Sequence, residues 1–237
     1  MPMDMNLILS IPECFSDFMN TQFIEFLAKS GAVKFGEFTL KSGRVSPYFI
    51  STGVIDDGSM VYELGKHYGK AIAQAFPNCA AIYGPAYKGI PLAVATAIAM
   101  QKELGTNKKW VFDRKEKKLH GDAGGFVGAE VDVGAEVVIV DDVMTTGATK
   151  LEAIEKIEKG MKAKAAGLVI AVDRQERGTK NMSAVQEFEE DTGVKVISLT
   201  TISDVFEHLK NKQIDGTVYI DDKIYAAFLA YRKKYGV

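Results

Sequence analysis

Cysteine is scarce: the 237-residue chain has two, Cys14 and Cys79. They lie far apart and form no Cys-x-x-Cys pair, which excludes a disulfide framework and a cysteine-built zinc site. Cys79, at the start of an apolar run, reads as a small buried hydrophobe. Charge of one sign is lacking too. The formal net charge is −2, which gives no whole-chain argument for binding nucleic acid or a membrane surface. The longest apolar run, around Ile90 to Met100, is too short to span a bilayer. No cationic stretch precedes an apolar one near the first residue, and Asp4 and Glu13 interrupt what apolarity there is. No secretory leader is therefore expected, and a soluble, reducing, cytoplasmic setting is. Internal repeats, low-complexity tracts and linkers are missing as well. With 47% hydrophobic residues, the expectation is one globular domain over residues 1–237.

Two familiar nucleotide loops are also absent. Neither GxGxxG nor GxxxxGK[ST] occurs. What stands in their place is Val137-Val138-Ile139-Val140-Asp141-Asp142-Val143-Met144-Thr145-Thr146-Gly147-Ala148-Thr149. The β-branched run predicts a fully buried strand. Two carboxylates follow where that strand should leave the sheet, then small hydroxyl residues around a glycine, then a helical pattern. Strand, polar loop and helix N-terminus together cradle a phosphate through backbone N–H groups and the positive end of the helix dipole. Side chains alternate along a strand, so Asp141 and Asp142 should point to opposite sides and do different work. One would face sugar hydroxyls and the other a metal-bound water or a basic side chain. In the helix that follows, Leu151, Ile154, Ile157 and Met161 share a face. Glu152/Lys156 and Glu155/Lys159 make i,i+4 pairs, and Gly160 is a plausible stop.

The rest of the chain alternates in the same manner. Helical spacing runs from Phe15 to Lys29 and from Met60 to Phe76, with His67 read as an ordinary half-exposed histidine. Residues 33–50 read as a hairpin carrying Lys41 and Arg44 near its bend. Ala80–Tyr83 is a short strand, followed by Gly84-Pro85-Ala86-Tyr87-Lys88-Gly89 and a nearly all-apolar helix with Pro91 in its first turn. This is a second strand–loop–helix anion site, and Lys88 supplies a cation at its mouth. After a strand at Trp110–Phe112, residues 113–125 carry dense charge and closing glycines, which predicts an exposed, mobile loop. Strands at 165–172 and 194–199 and helices at 184–191, 203–210 and 222–234 complete the pattern. Arg174, beyond the first of those strands, offers a planar fork suited to a carboxylate. His208 has no supporting cluster in the sequence.

VVIVDDVMTTGAT resembles the phosphoribosyl pyrophosphate (PRPP) signature of the type I phosphoribosyltransferases. TLKSGRVSPYF, GPAYKGIPLA, the RKEKKLHG run and DRQERG resemble, in order, blocks of the orotate phosphoribosyltransferases, and the resemblance covers almost the whole chain. It implies an α/β fold, the type I phosphoribosyltransferase fold, with a central parallel sheet flanked by helices. A small N-terminal hood would occupy about 1–55 and the core about 56–237. The implied reaction joins orotate to PRPP, giving orotidine 5′-monophosphate and pyrophosphate in pyrimidine biosynthesis.

The resemblance also assigns roles. Lys118, Arg114, Lys115 and His120 would form a catalytic loop, with Asp141 and Asp142 at the ribose. PRPP would be held by these residues with Lys41, Tyr87, Lys88, Val143, Met144, Thr145, Thr146, Gly147, Ala148 and Thr149. Orotate would meet Arg174, Thr145 and the backbone around Phe49 and Ile50. Mg²⁺ would arrive with PRPP, with no direct protein ligand beyond a water-mediated contact to Asp141 or Asp142. The partner would be a second copy of the chain, in a homodimer that shares the catalytic loop across its interface. The sequence departs from the family at Ile50, where Phe is usual, at Lys117 for Ala, at Leu119 for Asp, and by one extra residue at Asp122-Ala123. A purine phosphoribosyltransferase and a non-enzymatic regulator retaining the PRPP pocket are the rival readings. The TLKSGR and DRQERG blocks speak against the first. The intact cationic run speaks against the second.

Overall fold

The structure is a computed structural model that describes residues 13–40, 43–115, 125–144, 147–180 and 182–237, with side chains of 13–19 outside the description. In chain order the elements are α1 (Glu13–Lys29), β1 (Val33–Thr39), β2 (Val45–Ile50), α2 (Gly58–Ala75), β3 (Ala81–Tyr83) and α3 (Gly89–Leu104). Then come β4 (Lys109–Asp113), β5 (Phe126–Gly128), β6 (Glu136–Val143) and α4 (Ala148–Glu155), the last continued by a π-turn over Lys156–Gly160. The remainder is β7 (Lys164–Asp173), α5 (Ala184–Thr192), β8 (Lys195–Thr201), α6 (Ile202–Leu209), β9 (Gln213–Ile214), β10 (Thr217–Val218) and α7 (Asp222–Tyr235).

Six strands form one sheet in the order β5-β4-β3-β6-β7-β8. All its pairs are parallel except β4 with β5. From β3 the chain proceeds through α3 to β4 on one side, and from β6 through α4 to β7 on the other. The order therefore reverses between β3 and β6, which is where open α/β sheets bind ligands, beyond the carboxyl ends of the strands.

Side-chain alternation divides the core in two. Ile82, Val138, Val140 and Val169 face the layer containing Phe23, Leu64, Ile72 and Leu92 from α1, α2 and α3. Tyr83, Val137, Ile139 and Leu168 face Ala153, Ile157 and Phe188 on the other side. Glycine sets the spacing of α2 on α3, because a Cβ at Gly65 would fall 2.6 Å from the Ala95 backbone. The antiparallel β1–β2 hairpin is a separate two-stranded sheet. Its Val33, Tyr48 and Ile50 are nonetheless buried in the same core layer as α2, together with Phe228 and Tyr231 of α7.

The structure corrects several expectations. Asp141 and Asp142 do not leave the sheet: β6 continues through Val143, with Asp141 opposite Ile170 and Val143 opposite Val172. His67 is buried, not half-exposed, because α1 lays Phe23 over it at 4.8 Å between ring centroids. Burial holds its imidazole down to about 4, so it is neutral at physiological pH. Gly160 is not a left-handed stop. It ends the π-turn, and a Cβ there would meet the Phe126 ring at 2.8 Å. Leu151 is exposed while Ile157 is buried. Lys159 does pair with Glu155 at 2.8 Å, but Lys156 reaches Asp113 instead of Glu152. His208 has partners after all, with Glu25 at 3.1 Å and Lys212 at 2.8 Å, joining α6 to α1. The edge strand β5 and the β9–β10 hairpin had no sequence signal of their own, at 3, 2 and 2 residues. Cys79 is buried as expected.

Candidate active site

Two loops leave the sheet side by side at the reversal point, one after β3 and one after β6. The first, Gly84–Lys88, folds back tightly on the start of α3. A Cβ at Gly84 would lie 2.0 Å from the Gly89 carbonyl oxygen, and one at Gly89 would lie 2.7 Å from Pro85, so only glycine fits at either place. Tyr87 projects into solvent, 68% exposed, and the Lys115 ammonium sits 5.1 Å above its ring. Lys88 reaches across to the β6 end. Its ammonium donates to Asp142 Oδ2 at 3.2 Å and to Ser51 Oγ, just past the hairpin, at 3.1 Å. Gly53 lets the lysine pass, since a Cβ there would stand 3.3 Å from the Lys88 Cε.

The two carboxylates lie in β6 immediately before its last residue, ahead of the second loop, and they do point to opposite sides. Asp142 faces Lys88. Asp141 faces Lys150 of α4, with Nζ 2.6 Å from Oδ2 and both side chains largely buried. Burial pushes the Asp141 carboxyl up from its ordinary value; Lys150 pulls it back and Asp142 adds to the rise. The strand end is pinned further by the Tyr68 hydroxyl, which donates to the Asp141 carbonyl at 2.7 Å. Each carboxylate also accepts a backbone N–H from the residue after it, at 2.9 and 2.8 Å.

Gly147 then takes a left-handed φ of 73° as the residue before α4. There the Lys150 and Leu151 N–H groups close on its carbonyl. Ala148 and Thr149 lie exposed on the first turn of α4, where the helix dipole favours an anion. Val143 and Met144 turn their side chains into the two core layers, which leaves only their backbone to face a ligand.

Arg174 lies at the end of β7 in a buried polar cluster. Its Nε and Nη2 donate to Glu176 Oε1 at 3.1 and 2.5 Å. The Tyr48 and Tyr231 hydroxyls donate to the same oxygen at 3.0 and 2.9 Å. The guanidinium also sits 5.0 Å from the Tyr48 ring centroid. This leaves its Nη1 end without a bond among the described residues. A cavity of about 810 Å³ between the hairpin and α7 borders the cluster at Tyr231. Phe49 is exposed beside Phe38, whereas Ile50 is buried in the core and offers a ligand only its backbone.

Arg114 and Lys115 lead out of β4, with the Arg114 N–H donating to the Gly125 carbonyl at 2.8 Å. The Arg114 Nε is buried with no hydrogen-bond partner among the described residues. The expectations placed on Lys41, Lys118, His120, Thr145 and Thr146 lie outside the described residues. The structure brings together Tyr87, Lys88, Lys115, Asp141, Asp142 and the Gly147–Thr149 turn. Arg174 stands in a separate cluster, linked to the hairpin through Tyr48.

Lys150, Ser51, Asp113 and Glu176 join the site only through the folded chain. Lys150 carried one usable signal: a cation in the first turn of a helix opposes the dipole and needs a carboxylate near it. Among the described residues, no group of three or more His, Cys, Asp or Glu converges as a metal site. Both aspartates are already held by lysines. This donor set suits a divalent cation carried by a diphosphate and water better than one caged by the protein.

The family model for the phosphoribosyl transferase domain matches residues 59–212. That range holds both loops but neither the hairpin nor α7. Longer matches include these. The orotate phosphoribosyltransferase of Bifidobacterium longum is 45% identical over 224 residues, covering 91% of this chain and 96% of that protein. The enzyme of the same name from Lachnoclostridium phytofermentans is 42% identical over 217 residues, with 91% and 96% covered. Among solved structures, the crystal structure of orotate phosphoribosyltransferase from Francisella tularensis is similar with a TM-score of 0.76 and 37% identity. It covers 91% of this chain and all of that one.

Proposed function

Because the chain belongs to the orotate phosphoribosyltransferase family, we infer that it transfers the 5-phosphoribosyl group of PRPP to orotate, forming orotidine 5′-monophosphate and pyrophosphate. One observation carries the reading down to the residues: the pair of loops at the sheet's reversal point, bridged by Lys88 and Asp142. Such a pair offers one helix N-terminus to a 5′-phosphate and one cation-lined loop to a diphosphate.

In the proposed mechanism the Gly147–Thr149 turn, with Thr145 and Thr146, takes the 5′-phosphate. Tyr87 and Lys88 take the diphosphate together with Lys41, Arg114, Lys115, Lys118 and His120. Asp141 and Asp142 orient the ribose. An anionic phosphate approaching Lys88 competes with Asp142 for its ammonium, which would release the carboxylate toward a sugar hydroxyl. The ring nitrogen of orotate gives up its proton to solvent water and bonds to C1′ as the C1′–oxygen bond breaks, and the diphosphate departs with the electron pair. Positive charge grows on the ribosyl group meanwhile, so carboxylates below it and cations around the leaving group both lower the barrier. Arg174 would take the orotate carboxylate with its Nη1 end, while the Phe49–Ile50 backbone borders the ring. Mg²⁺ bound through the diphosphate would neutralise leaving-group charge.

The homodimer, with its cationic loop shared between subunits, and a cytoplasmic setting are proposed on the same family grounds. No helix among the described residues is long and apolar enough to cross a membrane.

Pyrophosphate release, assayed with PRPP and magnesium and with orotate, adenine or hypoxanthine as acceptor, tests the assignment. Release should require orotate and fall away when magnesium is chelated. Release with a purine and none with orotate would contradict it.

A further inference from the structure

Asp113 closes β4 immediately before the cationic run, and its side chain is only 4% exposed. A buried carboxylate is costly unless donors surround it. Here the donors come from three other parts of the chain. Oδ1 accepts the hydroxyl of Tyr83, at the end of β3, at 2.8 Å, and the backbone N–H of Ala86 at 3.1 Å. Oδ2 accepts the ammonium of Lys156, in the π-turn after α4, at 2.7 Å. Burial alone would raise the carboxyl. Lys156, the Ala86 N–H and the Tyr83 hydroxyl outweigh it and hold the group below the usual carboxylate range.

The residues on either side of these bonds belong to the site. Ala86 directly precedes Tyr87 and Lys88, and Asp113 directly precedes Arg114 and Lys115. Fixing Ala86 to Asp113 therefore fixes the two cation-bearing segments to each other. The placement of the Lys115 ammonium above the Tyr87 ring reports that alignment. The pairing with Lys156 also explains why that lysine leaves its helical i,i+4 partner Glu152.

We propose that Asp113 is a positioning residue for the diphosphate half of the site: it sets Tyr87–Lys88 and Arg114–Lys115 at the separation that lets both engage one diphosphate. The proposal rests on the reading of the Gly84–Lys88 loop as the pyrophosphate loop. Asp113 need not touch substrate. Its effect is confined to the diphosphate end, because Arg174 and its carboxylate-binding edge share no bond with it.

The test uses the full-length enzyme, with Asp113→Ala, Asp113→Asn and Lys88→Ala. The readouts are KM for PRPP, KM for pyrophosphate in the reverse reaction, and KM for orotate. Losing the acceptor that holds Ala86 should raise both phosphate-side constants about tenfold in Asp113→Ala and leave the orotate KM within about twofold. The Asn amide oxygen still accepts from Tyr83 and Ala86, so Asp113→Asn should restore most of the loss, to about threefold above wild type. A merely structural role would lower the active fraction or the melting temperature while leaving KM for PRPP and pyrophosphate unchanged, and that result overturns the proposal. Should Asp113→Ala fail to fold, Asp113→Asn decides alone: a selective rise supports the proposal and no rise defeats it. Lys88→Ala separates the two levels. If it leaves the phosphate-side constants unchanged, the loop assignment is wrong and the proposal falls with it. If it raises them and the Asp113 variants do not, the proposal alone is wrong.

Discussion

Lys118→Ala lowers turnover by about a hundred- to a thousandfold while changing the affinity for PRPP by only a few-fold. The expected size is that of removing one preorganised charge donor aimed at charge that develops in the transition state. On the proposed assignment the diphosphate would be shared before reaction among Lys88, Arg114, Lys115 and water, so one lysine would add little to ground-state binding. As the C1′–oxygen bond lengthens, negative charge accumulates on the departing oxygen, and a cation placed there gains strength with each increment. A loss confined to kcat means the interaction forms mainly in the transition state; a raised KM with kcat unchanged means uniform binding. Steady-state kinetics over both substrates distinguishes them, and unchanged turnover would remove Lys118 from the mechanism.

Arg174→Ala raises the orotate KM about thirty- to a hundredfold and leaves the KM for PRPP nearly unchanged, the scale expected for losing a charge-assisted pair with a carboxylate. The cluster around it argues that the variant folds. Glu176 retains the Tyr48 and Tyr231 hydroxyls, and Arg44 lies 3.6 Å from its other oxygen. Arg174→Lys should recover little, because one ammonium cannot hold Glu176 and also reach the position of the Nη1 end. An orotate KM unaffected by Arg174→Ala would take this residue out of the acceptor pocket.

Much of the fold was legible because its strongest signals are local. β6 and β7 are β-branched, apolar runs, the major helices have regular periodicity, and the two anion loops sit between them with glycines where the backbone must turn or approach closely. What escaped depends on contacts far apart in sequence. His67 reads as half-exposed until α1 is known to cover it, and Lys156 reads as a partner for Glu152 until β4 brings Asp113 within reach. Gly160 looks like a helix stop only while Phe126 is out of view.

The same holds for the site. Asp141, Asp142 and Lys88 announce themselves by chemistry at strand ends. Lys150 and Asp113, which hold them and their neighbours in place, are ordinary charged residues in sequence, and only folding makes them buried. Strand alternation does separate the two aspartates, and each is tied to its own lysine, Asp142 to Lys88 of the loop before α3 and Asp141 to Lys150 of α4.

Phosphoribosyl transfer at this site requires the paired loops beyond β3 and β6 to form one receptor for a sugar with a phosphate at one end and a diphosphate at the other. Titrating the purified protein with PRPP in a calorimeter, with magnesium present and orotate absent, tests this most directly. The predicted result is saturable binding at one site per chain, weakened by Lys88→Ala and competed by pyrophosphate. Heat no greater than dilution, from folded protein at PRPP concentrations in the millimolar range, would contradict it.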